Sequence, residues 1–206
     1  MSQHFALPRS KKIQLSKAMS YLLRHGAEKE KIPMDSKGFI SIPDLMRHKS
    51  IRKFTFEDIQ FVVDTCEKKR FYLEQRDDIY YIRANQGHSI QTVDVDMEII
   101  TDPTNVVAVH GTYYRFWDAI KMGGLSKMSR QHVHLSAGEP GSSGVISGMR
   151  SSAQIMIYID VAKAMEDNIV FLRSANNVIL TSGRGGVIPP KYFSKVIDVK
   201  TGESLL

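Results

Sequence analysis

The spacing of apolar residues changes once along this chain, and that change restricts the fold more than any other feature. Up to about residue 90 apolar side chains recur every three or four positions; from about residue 105 they gather into β-rich runs separated by Gly and Ser. The first pattern belongs mainly to amphipathic helices and the second mainly to buried strands, and the expected class is α+β. The segment GHSIQTVDVDMEIITDP, residues 87–103, reads as the join, and the expected units are 1–90 and 91–206.

In LSKAMSYLLRHGA, Leu15, Ala18, Met19, Leu22 and Leu23 keep helical spacing, and Arg24 and His25 occupy the last turn ahead of Gly26. Cations at a helix C-terminus complement its dipole and a following Gly ends it, so this triplet has a purely structural explanation. GFISIPDLMRH reads as a short strand entering a helix with Pro43 in its first turn. Thr55, with Asp58 three residues on, opens another helix whose stripe is Ile59, Val62, Val63 and Cys66 and whose expected end is Lys68-Lys69-Arg70. RFYLEQRDDIYYIRA alternates apolar and polar residues around Arg-Asp-Asp, a hairpin pattern. Three helices and a hairpin suggest a winged helix, a module that normally binds nucleic acid. The basic Lys68-Lys69-Arg70 then suits phosphate contacts, or is simply a solvated helix end.

A formal net charge of +6 and a pI of about 9.3 favour an anionic partner, RNA or DNA among them. Cys66 is the single cysteine and lies on an apolar stripe, so an intramolecular disulfide is impossible and a nucleophilic or metal-binding role is not expected. No apolar run approaches the roughly 18 residues of a membrane span, and MSQHFALPRSKK lacks the apolar core of a secretory signal. The expectation is an intracellular protein of cytoplasm or nucleus.

In the second half, NVVAVHG reads as a strand delivering His110, Gly111 and Thr112 to its end, where YYRFWDAIKMGG begins a helix closed by Gly123 and Gly124. HVHLS places His132 and His134 on one face of a strand, but with only Glu139 as a nearby carboxylate no zinc site is expected. AQIMIYID, NIVFL and NNVIL read as further buried strands, with SGRGG and IPPKYF as turns. Gly183-Arg184-Gly185-Gly186 is neither a P-loop nor a dinucleotide fingerprint. GEPGSSGVISGMRSS is either a surface loop or a set of backbone NH groups that, with Arg150, meets phosphate.

LSKAMSYLLRHGA, GFISIPDL, IRANQGHS, HGTYYRFWDAIKMGGLSKMSRQHVHLS, ISGMR and RSANNVILT occur in the order and spacing of the tRNA 2′-phosphotransferases, and from about residue 13 to 198 the chain resembles that family. The resemblance implies a winged-helix RNA lobe joined to an ADP-ribosyltransferase-like lobe that binds NAD on a split β-sheet. It implies NAD-dependent transfer of an internal 2′-phosphate from spliced tRNA or other RNA. The products would be 2′-OH RNA, nicotinamide and ADP-ribose 1″,2″-cyclic phosphate, formed through a 2′-phospho-ADP-ribosylated RNA. NAD would be consumed and no metal used; a monomer is expected.

On the same resemblance the family's catalytic set falls on Arg24, His25, Arg83 and Arg150. Its NAD-binding residues fall on His110, Gly111 and Thr112, with Arg130 and His134 added to that pocket. Asn177 stands where the family commonly has Gly; Asn is the next most tolerant of positive φ, so the turn is expected to survive. Three arginines suit the dispersed charge of a migrating phosphoryl group, and His25 alone of the four can exchange a proton. On an ideal helix Arg24 and His25 point apart; they serve one site only if the helix is distorted near Gly26 or they hold opposite sides of the phosphate. Two other readings stay open: a winged-helix binding protein with an inactive second lobe, and an ADP-ribosyltransferase acting on terminal nucleic-acid phosphates.

Overall fold

The computed structural model describes residues 6–139, 145, 149 and 152–206. The chain divides into two compact units, Met1–Asp96 and Met97–Leu206.

The first unit contains three α-helices, α1 (Arg9–Tyr21), α2 (Ile42–Arg47) and α3 (Phe56–Asp64), and an antiparallel sheet of β1 (Ile40–Ser41), β3 (Ile79–Ala84) and β2 (Phe71–Arg76), in that order. The starts of α2 and α3 follow from their sequences. Ser41 Oγ accepts from the Asp44 backbone NH at 3.1 Å, and Thr55 and Asp58 form a reciprocal capping box. Leu15, Met19, Leu22, Leu23, Ile59 and Val62 are buried, as the helical spacing requires.

Helix α3 stops earlier than expected. Its apolar stripe runs out at Val63, and the Thr65 hydroxyl bonds back to the Phe61 carbonyl at 2.5 Å, competing with the helical ladder. Cys66 and the Lys68-Lys69-Arg70 run therefore lie beyond the helix, in a loop where Lys69 has φ 40°. The hairpin forms as its alternation predicts: Arg76 pairs with Ile79 across the Asp77-Asp78 turn, and Tyr72 faces Arg83.

In the second unit a seven-stranded antiparallel sheet has the order β12 (Phe193–Asp198), β8 (Ile155–Ile159), β5 (Val109–Thr112), β7 (Val133–Ser136), β10 (Val178–Thr181), β9 (Leu172–Arg173), β4 (Glu98–Ile99). Strands β6 (Leu125–Ser126) and β11 (Val187–Ile188) form a separate pair, and α4 (Tyr114–Gly123) and α5 (Val161–Glu166) complete the unit. Trp117, Leu135, Ile157, Phe171, Ile179 and Tyr192 belong to its core.

Strand β5 hands over to α4 as expected, and the helix ends at Gly124, φ 86°. Two expectations change. NIVFL is not a strand along its length, because Asn168 takes φ 63° after α5 and only Leu172 of it enters β9. His132 precedes β7, which starts at Val133, so the two histidines do not share a strand face. Asn177 has φ 58°, a left-handed turn, as expected where the resembled family commonly has Gly.

Candidate active site

Helix α1 does not end at Gly26; it widens. Leu22–Gly26 form a π-turn in which the Ala27 NH reaches back to the Leu22 carbonyl at 3.1 Å, and the chain continues with Ala27 still in helical geometry. Inserted π-turns redirect side chains from the regular helical rows and recur at functional positions. Gly26 is needed here for close approach rather than as a stop: a Cβ on it would lie 2.6 Å from Cε1 of Tyr21.

The π-turn packs against β3 and is pinned by the segment that follows β3. The Ser89 NH donates to the Arg24 carbonyl at 2.9 Å, and the Ser89 hydroxyl lies 2.9 Å from Nδ1 of His25. Gly87, at φ 92°, lays its backbone along the Arg24 side chain, where a Cβ would come within 3.5 Å of Cδ, Nε and Cζ.

Arg83, at the end of β3, is held by stacking. Its guanidinium carbon is 4.8 Å from the Phe39 ring centre and 5.5 Å from that of Tyr72. Its Nε is buried and, among the described residues, has no hydrogen-bond partner. A buried guanidinium NH without an acceptor is costly, and an anion laid along that edge would satisfy it. The first unit thus groups Arg24, His25 and Arg83 on two adjoining segments.

In the second unit, Nδ1 of His110 donates to the His134 carbonyl at 3.1 Å, linking β5 to β7. Burial pushes the His110 pKa below its ordinary 6.5, and the charge of Arg130 adds to that. The ring is therefore neutral near pH 7 with its hydrogen on Nδ1, which leaves Nε2 as an acceptor. Thr112 is buried. Gly111 cannot carry a side chain without rearrangement: a Cβ would sit 2.3 Å from Cγ and 2.4 Å from Sδ of Met149. Arg130 and His134 belong to this unit with His110, Gly111 and Thr112; Arg150 lies outside the described residues. Among the described residues no group of three or more His, Cys, Asp or Glu is placed to hold a metal ion, and no helix is long and apolar enough to cross a membrane.

Ser89, Phe39 and Tyr72 were not among the residues expected at the site. Tyr72 could have been found by counting the hairpin outward from Asp77-Asp78, which sets it opposite Arg83. Ser89 and Phe39 carry no comparable local signal.

Residues 10–183 match the model of the RNA 2′-phosphotransferase, Tpt1 / KptA family. The chain belongs to this family. It is similar to tRNA 2′-phosphotransferase 1 of Danio rerio, 45% identical over 197 residues that cover 93% of this chain and 88% of the relative. It is also 45% identical to tRNA 2′-phosphotransferase 1 of Homo sapiens, covering 91% and 76%. With tRNA 2′-phosphotransferase of Saccharomyces cerevisiae the identity is 39%, covering 90% and 83%.

Proposed function

We propose that this chain is an NAD-consuming RNA 2′-phosphotransferase, its first unit a winged-helix lobe that binds RNA and its second an ADP-ribosyltransferase-like lobe that binds NAD. The observation that carries this reading is the match to the family across residues 10–183. The names of the relatives, tRNA 2′-phosphotransferases, and of the family, RNA 2′-phosphotransferase, support tRNA or other RNA as the substrate class, and an internal 2′-phosphate is the group proposed to be transferred.

His110, Gly111, Thr112, Arg130 and His134 are the residues proposed to hold NAD, and their chemistry suits it. The neutral His110 ring offers Nε2 to a ribose hydroxyl, Thr112 a hydroxyl, and Arg130 a cation for the pyrophosphate. NAD supplies an activated glycosidic bond. Arg24, Arg83 and Arg150 are proposed to clamp the 2′-phosphate, and the stacked Arg83 is preorganised for that, since little side-chain freedom remains to be lost.

Two displacements follow. A 2′-phosphate oxygen attacks C1″ of the nicotinamide ribose, and nicotinamide leaves with the bonding electrons. The 2″-hydroxyl then attacks phosphorus, the bond from phosphorus to the RNA 2′-oxygen breaks, and that oxygen gains the proton the 2″-hydroxyl loses. His25, held through Ser89, is the residue proposed to move this proton.

The experiment is incubation of an RNA carrying one internal 2′-phosphate with and without NAD, resolving RNA and small products. The expected result is 2′-OH RNA, nicotinamide and ADP-ribose cyclic phosphate, formed only with NAD and equally in the presence of chelator. Equal dephosphorylation after exhaustive removal of NAD defeats the reading.

A further inference from the structure

A hollow of about 570 Å³ lies in the first unit between one face of α1 and the loop that follows α3. Arg9, Lys12, Lys17, Lys68 and Arg70 line it, against the single carboxylate of Glu67. Ser16 and Ser20 set hydroxyl groups among these cations, and Ile13, Val62 and Cys66 form its apolar part.

Two features distinguish this concentration of charge from ordinary surface. Among the described residues, Arg9, Lys12, Lys17 and Arg70 make no ion pair. A second hollow of the same unit, about 480 Å³, is more nearly balanced: Glu30 and Asp44 stand against Lys31, Arg47 and Lys49, and Arg47 is 2.8 Å from Asp44. The basic hollow is also pre-shaped. Lys12 Nζ donates to the Thr65 carbonyl at 3.1 Å, and Asn85 Nδ2 grips the Lys69 carbonyl at 2.6 Å, which fixes the loop carrying Lys68 and Arg70.

Direction along α1 supplies the link to function. Arg9, Lys12, Ser16 and Ser20 follow one helical face over about 16 Å at 1.5 Å per residue, and one turn beyond Ser20 stands Arg24 in the π-turn. We infer that this hollow is a track for the RNA phosphodiester backbone flanking the 2′-phosphate, an inference that rests on the function proposed above. Polyanion binding needs cations not already neutralised by carboxylates, with hydroxyl donors between them, and the hollow provides both.

The test compares the full chain with the Arg9→Ala/Lys17→Ala double variant, both changes at exposed positions. Binding of an unstructured RNA lacking any 2′-phosphate is measured against salt without NAD, beside turnover of a 2′-phosphorylated trinucleotide. Affinity for the longer RNA should fall roughly tenfold, and the slope of log K against log salt should become shallower by roughly 1.4, two phosphate contacts at about 0.7 each. Turnover of the trinucleotide should stay at the wild-type value. Lys31→Ala/Lys49→Ala, which removes the same charge from the more nearly balanced second hollow, should leave both readings near wild type. Unchanged affinity and slope in the first variant overturn the inference, as does an equal loss in the second. Binding of polyglutamate that depends on Arg9 and Lys17 while RNA binding does not would assign the hollow to an acidic protein segment instead, and also overturns it. Because the binding RNA carries no 2′-phosphate and the assay no NAD, failure of the wild type to turn over substrate counts against the proposed function and leaves this measurement intact.

Discussion

Nδ1 of His25 and the hydroxyl of Ser89 stand 2.9 Å apart although 64 residues separate them in the chain. That hydrogen bond fixes the imidazole of the only proposed catalytic residue able to exchange a proton, and the Ser89 backbone holds the neighbouring Arg24 carbonyl as well. Ser89→Ala keeps the backbone bond and removes the side-chain one. It should lower single-turnover rate by about tenfold, the equivalent of one neutral hydrogen bond at ~1.4 kcal/mol, with RNA affinity unchanged. His25→Ala should cost more, and Ser89→Thr should recover most of the loss. Wild-type rates in Ser89→Ala would show that the bond serves only the fold.

Gly111 makes a second prediction, about packing. A Cβ there meets Met149 at 2.3 and 2.4 Å and the Ala153 Cβ at 2.8 Å, so Gly111→Ala should lower stability by about 1–3 kcal/mol through overpacking. Adding Met149→Ala should recover part of it, the contact with Ala153 remaining. Urea unfolding of the single and double variants checks this; no recovery in the double variant would place the cost in the strand backbone rather than at Met149.

What could be read beforehand was whatever depends on residues a few positions apart. The Thr55–Asp58 capping box, the Asp77-Asp78 hairpin and the left-handed Asn177 turn are local, and each formed as its residues predict. Helix α3 ends before the basic run because, although such a run suggests a helix C-terminus, the loss of the apolar stripe and the back-bond from Thr65 to Phe61 decide it. The π-turn was not legible in LLRHG by itself. Its widening is stabilised by Ser89 and Gly87 from beyond the hairpin, and no local spacing carries that information. The same holds for Phe39, which reaches Arg83 through the placement of β1 beside β3.

His110 gives a prediction about pH. Its pKa is lowered on folding, so below the ordinary 6.5 the unfolded chain binds more protons at this position than the folded one. Its stabilising contribution is present above pH 6.5 and is lost as pH falls from there through the folded value. Urea unfolding should therefore show stability dropping through this window. His110→Asn, which keeps a donor for the His134 carbonyl but cannot titrate, should flatten part of the drop. His132, also lowered by burial and by Lys127, accounts for a further share. An identical pH dependence in His110→Asn would mean that His110 is not held neutral.

The order of chemistry gives the last prediction. In the first of the proposed displacements, attack of the 2′-phosphate on C1″ would develop positive charge on the sugar, and arginines that position the nucleophile would also reduce its electron density. In the second proposed displacement, attack of the 2″-hydroxyl on phosphorus would require negative charge on the phosphoryl oxygens to be held, and the full value of the guanidinium groups would be felt there. Arg83→Ala should therefore slow the second displacement more than the first, by about a hundredfold if one such donor is worth roughly 3 kcal/mol, and RNA carrying 2′-phospho-ADP-ribose should accumulate. Arg150→Ala should act in the same direction, and His25→Ala too, through proton transfer. Tyr72→Leu removes one ring of the stack that holds Arg83 while leaving its charge in place, so it should produce the same accumulation in weaker form. In single-turnover assays, variants that leave intact 2′-phosphate RNA, unconsumed NAD and no adduct would place Arg83 in substrate binding or the first displacement, because a group needed only later cannot block nicotinamide release.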